Sequence, residues 1–69
     1  MKVNIWSPYF KIGGLEGYLE KSNVDVPDDM KIGDKLSFFN KYVCIIEDIS
    51  ISSGKVEVQL KVMDIDSTN

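Results

Sequence analysis

The chain has 69 residues, 43% of them hydrophobic and 28% charged, with a formal net charge of −3 and a pI near 4.7. One cysteine and no histidine exclude an intrachain disulfide, a paired Cys/His zinc site and any Ser–His or Cys–His nucleophile. Acidic balance without a single arginine also leaves out the basic stripe expected of a nucleic-acid-binding domain.

Such a composition is globular rather than disordered, and the length allows one small domain over 1–65 followed by a polar tail at 66–69. A domain this small buries only about 60% of the surface its unfolded chain exposes. Nearly every large apolar side chain is therefore needed in a core or an interface. The chain contains no alanine and is rich in Ile and Val, which favours strand over helix. Missing Arg, Ala and His beside abundant Ile and Lys also suit an AT-rich coding source, such as some bacteria, phages or viruses.

In chain order, Lys2-Val-Asn-Ile-Trp-Ser7 alternates with Val3 and Ile5 on one side. Pro8 makes the middle of this segment an edge or a bend, and Phe10-Lys-Ile-Gly-Gly14 ends it in a turn. Leu15-Glu-Gly-Tyr-Leu-Glu-Lys21 reads as a strand with Leu15 and Leu19 inward, although Leu15, Tyr18 and Leu19 also fit one face of a short helix. Asp25-Val-Pro-Asp-Asp-Met-Lys-Ile-Gly-Asp34 follows as a connector. Pro27 sets a tight turn there, Asp28 and Asp29 take its exposed positions, and Met30 and Ile32 plug the core edge.

Asp34-Lys-Leu-Ser-Phe-Phe39 is a strand with Leu36 and Phe38 inward, closed by a turn at Asn40-Lys41. The remainder forms a hairpin over about 43–64. Lys55-Val-Glu-Val-Gln-Leu-Lys-Val62 alternates without error, and Ser53-Gly54 supplies a two-residue turn. Pairing Ser52 with Lys55 sets Ile51 against Val56, Ile49 against Val58 and Ile45 against Val62. Glu47 then falls opposite Leu60 on the apolar side, where an unpaired carboxylate is costly, so a β-bulge is expected near Glu47-Asp48. Tyr42, Cys44 and Ile46 share the other face with Met63 and Ile65, which makes this end of the hairpin apolar on both sides. The predicted fold is all-β: five antiparallel strands in a barrel or roll of SH3-like or OB-like size.

The candidate chemistries are few. Placing Gly33 at the sixth position of an EF-hand loop puts Met30 and Ile32 where oxygen ligands belong, so a calcium loop fails. Gly13-Gly-Leu-Glu-Gly17 has neither the spacing nor the lysine–hydroxyl ending of a phosphate loop. The N-terminus "MKVNIWSPYF" has no apolar signal core, and nothing approaches about 18 consecutive apolar residues. A cytoplasmic protein without membrane, metal or cofactor is expected, and not an enzyme.

The functional expectation is a protein-interaction module, in the form of a phage- or mobile-element-type inhibitor of a host protein or a homodimeric accessory protein. Its contact residues are Trp6, Tyr9, Phe10, Tyr42, Ile46, Met63 and Ile65, with Asp25, Asp28, Asp29 and Asp34 as an electrostatic patch that steers a basic partner. The alternative is single-stranded nucleic-acid binding through exposed aromatics of a small barrel.

Overall fold

The computed structural model describes residues 1–65 of the chain, so the polar tail at 66–69 lies outside the described residues. Five strands, β1 (Lys2–Ile12), β2 (Leu15–Asp25), β3 (Lys35–Phe38), β4 (Tyr42–Ser52) and β5 (Lys55–Ile65), form one curled sheet in the order β2-β1-β5-β4-β3. The sheet is a half-barrel, open between its edge strands β2 and β3. No helix occurs among the described residues, and the segment 15–21 is strand. Positive φ at Gly17 (141°) lets β2 bend there, which a helix interior does not accommodate.

The pairing is not antiparallel throughout. β1 and β5 pair in parallel, with Asn4 opposite Glu57, Ile5 opposite Val58 and Trp6 opposite Gln59. Each of the four connections reverses the chain, so the first and fifth strands point the same way. Joining them side by side therefore requires a parallel ladder.

The β4–β5 hairpin has the expected turn. Ser53 and Gly54 both take positive φ (52° and 77°), as a type I′ turn requires, and Ser52 pairs with Lys55. Ile51 opposes Val56 and Ile49 opposes Val58. The ladder then steps from Ile46–Leu60 to Asp48–Gln59, leaving Glu47 as the extra, exposed residue of a bulge.

That bulge changes the faces beyond it. Because side chains alternate with period two, one extra residue moves Cys44 and Ile46 to the same side as Leu60 and Val62. Ile45 consequently opposes Lys61 rather than Val62, and Cys44 takes Val62. A second irregularity at Met63 brings Ile65 opposite Tyr42, on the core side. The bulge thus gathers Cys44, Ile46, Leu60 and Val62 on the core side and leaves half-buried Val43 and Ile45 facing outward beside Lys61 and Asp64.

The core contains Val3, Ile5, Leu19, Val26, Phe38, Cys44, Ile46, Val58, Leu60 and Val62. Residues 26–34 run between the two edges of the sheet. Val26 is buried and Met30 packs against the core, whereas Ile32 is 59% exposed and plugs nothing. Met30 N–H bonds the Pro27 carbonyl (3.2 Å), closing a turn with Asp28 and Asp29 at its exposed centre. Leu36 and Phe38 of β3 face inward, and Phe39 and Asn40 turn the chain with φ of 58° and 52°.

Candidate binding surface

The residues singled out by sequence fall into three groups. Ile46 is 0% exposed and belongs to the core, so no partner can touch it in the folded chain. Phe10, Tyr42 and Ile65 are half-buried and pack against that core. Phe10 meets Tyr42 edge-on at 5.7 Å between ring centres, and Lys41 Nζ lies 5.4 Å from the Tyr42 ring. Met63, 44% exposed at its bulge, is left without the apolar companions expected for it.

Trp6 and Tyr9 are at the surface, and they come together with a residue that sequence alone does not single out. Val3, Ile5 and Ser7 of β1 point into the core, so Trp6 points outward, opposite Glu20 of β2. Pro8 has no N–H to give the ladder, and pairing skips from Ser7–Leu19 to Phe10–Gly17. The Ser7 hydroxyl, in a 3% exposed residue, donates to the Pro8 carbonyl at 3.2 Å. In this bulge Tyr9 turns outward, its hydroxyl donates to the Glu16 carboxylate, and its ring meets Tyr18 edge-on at 5.9 Å.

Tyr18 is 78% exposed, against 54% for Tyr9 and 39% for Trp6. Its outward position follows from strand alternation: Leu19 is in the core, so both neighbours face out. Reading 15–21 as a helix hides this, because Tyr18 then shares a face with Leu15 and Leu19. The hydrogen bond to Glu16, followed by desolvation, raises the Tyr9 pKa above its ordinary value. The outer face of the β1–β2 hairpin therefore presents three aromatic rings with Glu16 and Glu20 among them.

The acidic patch is partly used within the fold. The Met1 amino group pairs with Asp25 (3.2 Å) and Asp28 (2.9 Å) and donates to the Val26 carbonyl (3.0 Å). Asp34 receives the Lys31 backbone N–H (3.0 Å) and sits 3.4 Å from the Lys31 ammonium. Asp29 is exposed and has no hydrogen bond or ion pair among the described residues.

Of the concave features along β1, two adjoin the aromatic residues. A cleft of about 330 Å³ opens where the parallel ladder stops after Trp6–Gln59, between Ser7–Ile12 on one side and Lys61 and Val62 on the other. A smaller hollow of about 210 Å³ lies around Asn4, Trp6, Glu20, Lys21, Ser22 and Glu57. Neither is lined by a cysteine or a histidine. Burial pushes the Cys44 thiol up to about 11, so it stays protonated at neutral pH. Among the described residues no group of three or more His, Cys, Asp or Glu side chains is placed to hold a metal ion, and no helix is long and apolar enough to cross a membrane. No protein-family model, curated protein or solved structure matches the chain.

Proposed function

We propose that the chain is a non-enzymatic binding module that docks a protein partner on the outer face of its β1–β2 hairpin through Trp6, Tyr9 and Tyr18. The observation that carries this reading is the clustering of three exposed aromatic side chains on one strand pair in a chain this short of apolar surface. Aromatic side chains combine large contact area with few rotatable bonds and dominate binding energy where they meet a partner. The likeness to SH3-like or OB-like barrels is one of size and strand number. Self-association through Tyr42, Ile46, Met63 and Ile65 loses its support, since three of the four pack in or against the core.

Exposed rings on a strand surface also suit base stacking. Glu16 and Glu20 outnumber Lys11, which opposes Glu16 on the same face, so a phosphate backbone finds no basic surface there and a protein partner is preferred.

Panning a displayed random-peptide library against the immobilised protein tests the proposal. Selected peptides are expected to bind a Tyr18→Ser variant at least roughly tenfold more weakly, as loss of a central aromatic anchor implies. Ile51, 76% exposed on the β4–β5 hairpin, provides the control. Peptides that depend on Ile51 and ignore Tyr18 would overturn the assignment. Salt-sensitive quenching of Trp6 fluorescence by a single-stranded oligonucleotide, absent with every selected peptide, would favour the nucleic-acid reading instead.

A further inference from the structure

The hollow beside Trp6 has a chemistry that the aromatic patch alone does not have. The register places Asn4, Trp6, Glu20, Glu57 and Gln59 on the outer face: Trp6 opposes Glu20 on one side and Gln59 on the other, and Asn4 opposes Glu57. Between Val3 and Ile5 the β1–β2 ladder is irregular, Asn23 takes a φ of 56°, and its N–H reaches Asn4 Oδ1 at 3.3 Å. This irregularity opens the hollow.

Glu57 lines it, and Glu57 Oε2 is buried without a hydrogen-bond partner among the described residues. A buried carboxylate oxygen is costly unless a donor or a cation meets it. The nearest cationic residues do not meet that need. Lys21 lines the hollow from the edge strand, opposite Ile5, and makes no ion pair with Glu20 or Glu57. Lys2 and Lys55 line the neighbouring hollow beyond Asn4. No ion pair among the described residues involves Glu20 or Glu57.

We infer that this hollow is a socket for the guanidinium group of an arginine side chain supplied by the partner. A guanidinium is planar and always charged, stacks on an indole face, and presents a fork of donors that two carboxylates can receive. Trp6 supplies the ring, Glu20 and, once its side chain turns Oε2 toward the hollow, Glu57 the acceptors, and the Asn4 and Ser22 side chains the polar rim. A volume of about 210 Å³ suits one side chain rather than a drug-sized molecule. The inference rests on the reading of the β1–β2 outer face as a docking surface, and it names what the partner brings there.

Trp6 is the single tryptophan of the chain and reports on its own pocket. The test titrates the protein at low salt with N-acetyl-arginine amide, and in parallel with the corresponding lysine and citrulline amides, following Trp6 emission. A saturable change is expected with arginine, about fivefold weaker with lysine, and none with neutral citrulline, because stacking and forked pairing both need the guanidinium. Glu20→Gln is expected to weaken the arginine response while leaving the unfolding midpoint in place, and Glu57→Gln to weaken it without lowering the midpoint. An equal response to arginine and citrulline overturns the socket, as does an unchanged arginine response in both variants. Tyr18-dependent peptides with no arginine response remove the socket alone. An arginine response that needs Glu57, with no Tyr18-dependent peptide, keeps the socket and removes the wider docking surface.

Discussion

Ile46 and Asp34 are joined through the backbone: the Ile46 N–H donates to the Asp34 carbonyl at 2.9 Å, and the Ile46 carbonyl receives the adjacent Gly33 N–H at the same distance. These bonds tie the end of the 26–34 connector to β4 at the residue just before the Glu47 bulge, while the Ile46 side chain is wholly buried. Ile46 is thus held by main chain and core at once. Ile46→Ala is expected to cost about 2–5 kcal/mol, the range for emptying a packed isoleucine site. Met63→Lys, at an exposed bulge residue, is expected to stay within about 0.5 kcal/mol. Urea unfolding of both variants reads the difference. Equal losses would mean that Met63 is core as well.

Glu47 is the bulge residue that places Cys44 and Ile46, rather than Val43 and Ile45, on the side of Leu60 and Val62. Deleting it leaves Ile46 opposite Leu60 and Cys44 opposite Val62, now in strict alternation with Asp48 opposite Gln59, so the pairing is kept and only the bend of the bulge is lost. The deletion is therefore expected to unfold cooperatively with a loss of about 1–3 kcal/mol from the altered strand curvature, and Glu47→Ala, which keeps the bulge, to change stability by about 1 kcal/mol or less. A deletion variant without dispersed amide resonances would show that the bend of the bulge, and not the pairing alone, is required for folding.

The Gly54 position is set by backbone alone: φ is +77° and an added Cβ would meet nothing within 4 Å. Gly54→Val is expected to destabilise by about 1–2 kcal/mol through left-handed strain, and Gly54→Asn by distinctly less, since Asn tolerates that region. Thermal unfolding of the pair separates conformational strain from any loss of contacts, which would affect both alike.

Local pattern made much of the hairpin legible. The alternation of 55–62, the Ser53-Gly54 turn and the cost of Glu47 opposite Leu60 each point to a feature present in the fold. The consequence of the bulge is harder to read, because one inserted residue reassigns every side chain beyond it and changes which of Cys44, Ile46 and Met63 are available to a partner. The β1–β5 ladder involves residues more than fifty positions apart, so no short-range signal marks it. The site was legible only at Trp6 and Tyr9. Tyr18 depends on choosing strand over helix at 15–21, and Glu57 needs the parallel register that brings it beside Asn4.

The Met1 amino group gives the fold a pH-dependent tie between β1 and the acidic connector. Its pKa is raised, first by the hydrogen bond to Asp28 and then by that to Asp25. The Asp25 pKa is lowered from its ordinary 3.8, chiefly by the hydrogen bond to that same amine, with further help from its charge and from Lys2. A lowered carboxylate pKa means stability present above 3.8 and lost as pH falls through the folded value. A raised amine pKa means stability fully present below its ordinary 8.0 and lost as pH rises through the folded value. The tie therefore acts between about pH 4 and pH 8 and weakens on both sides. Both groups are exposed, so its size is small and falls with added salt. In protein with a free Met1 amine, Asp25→Asn is expected to lower the unfolding midpoint at pH 6 at low ionic strength and to leave it unchanged near pH 2. N-terminal acetylation is expected to reproduce the loss at pH 6 and to remove the decline above pH 8. An acetylated protein with the same alkaline decline would assign that limb to other groups.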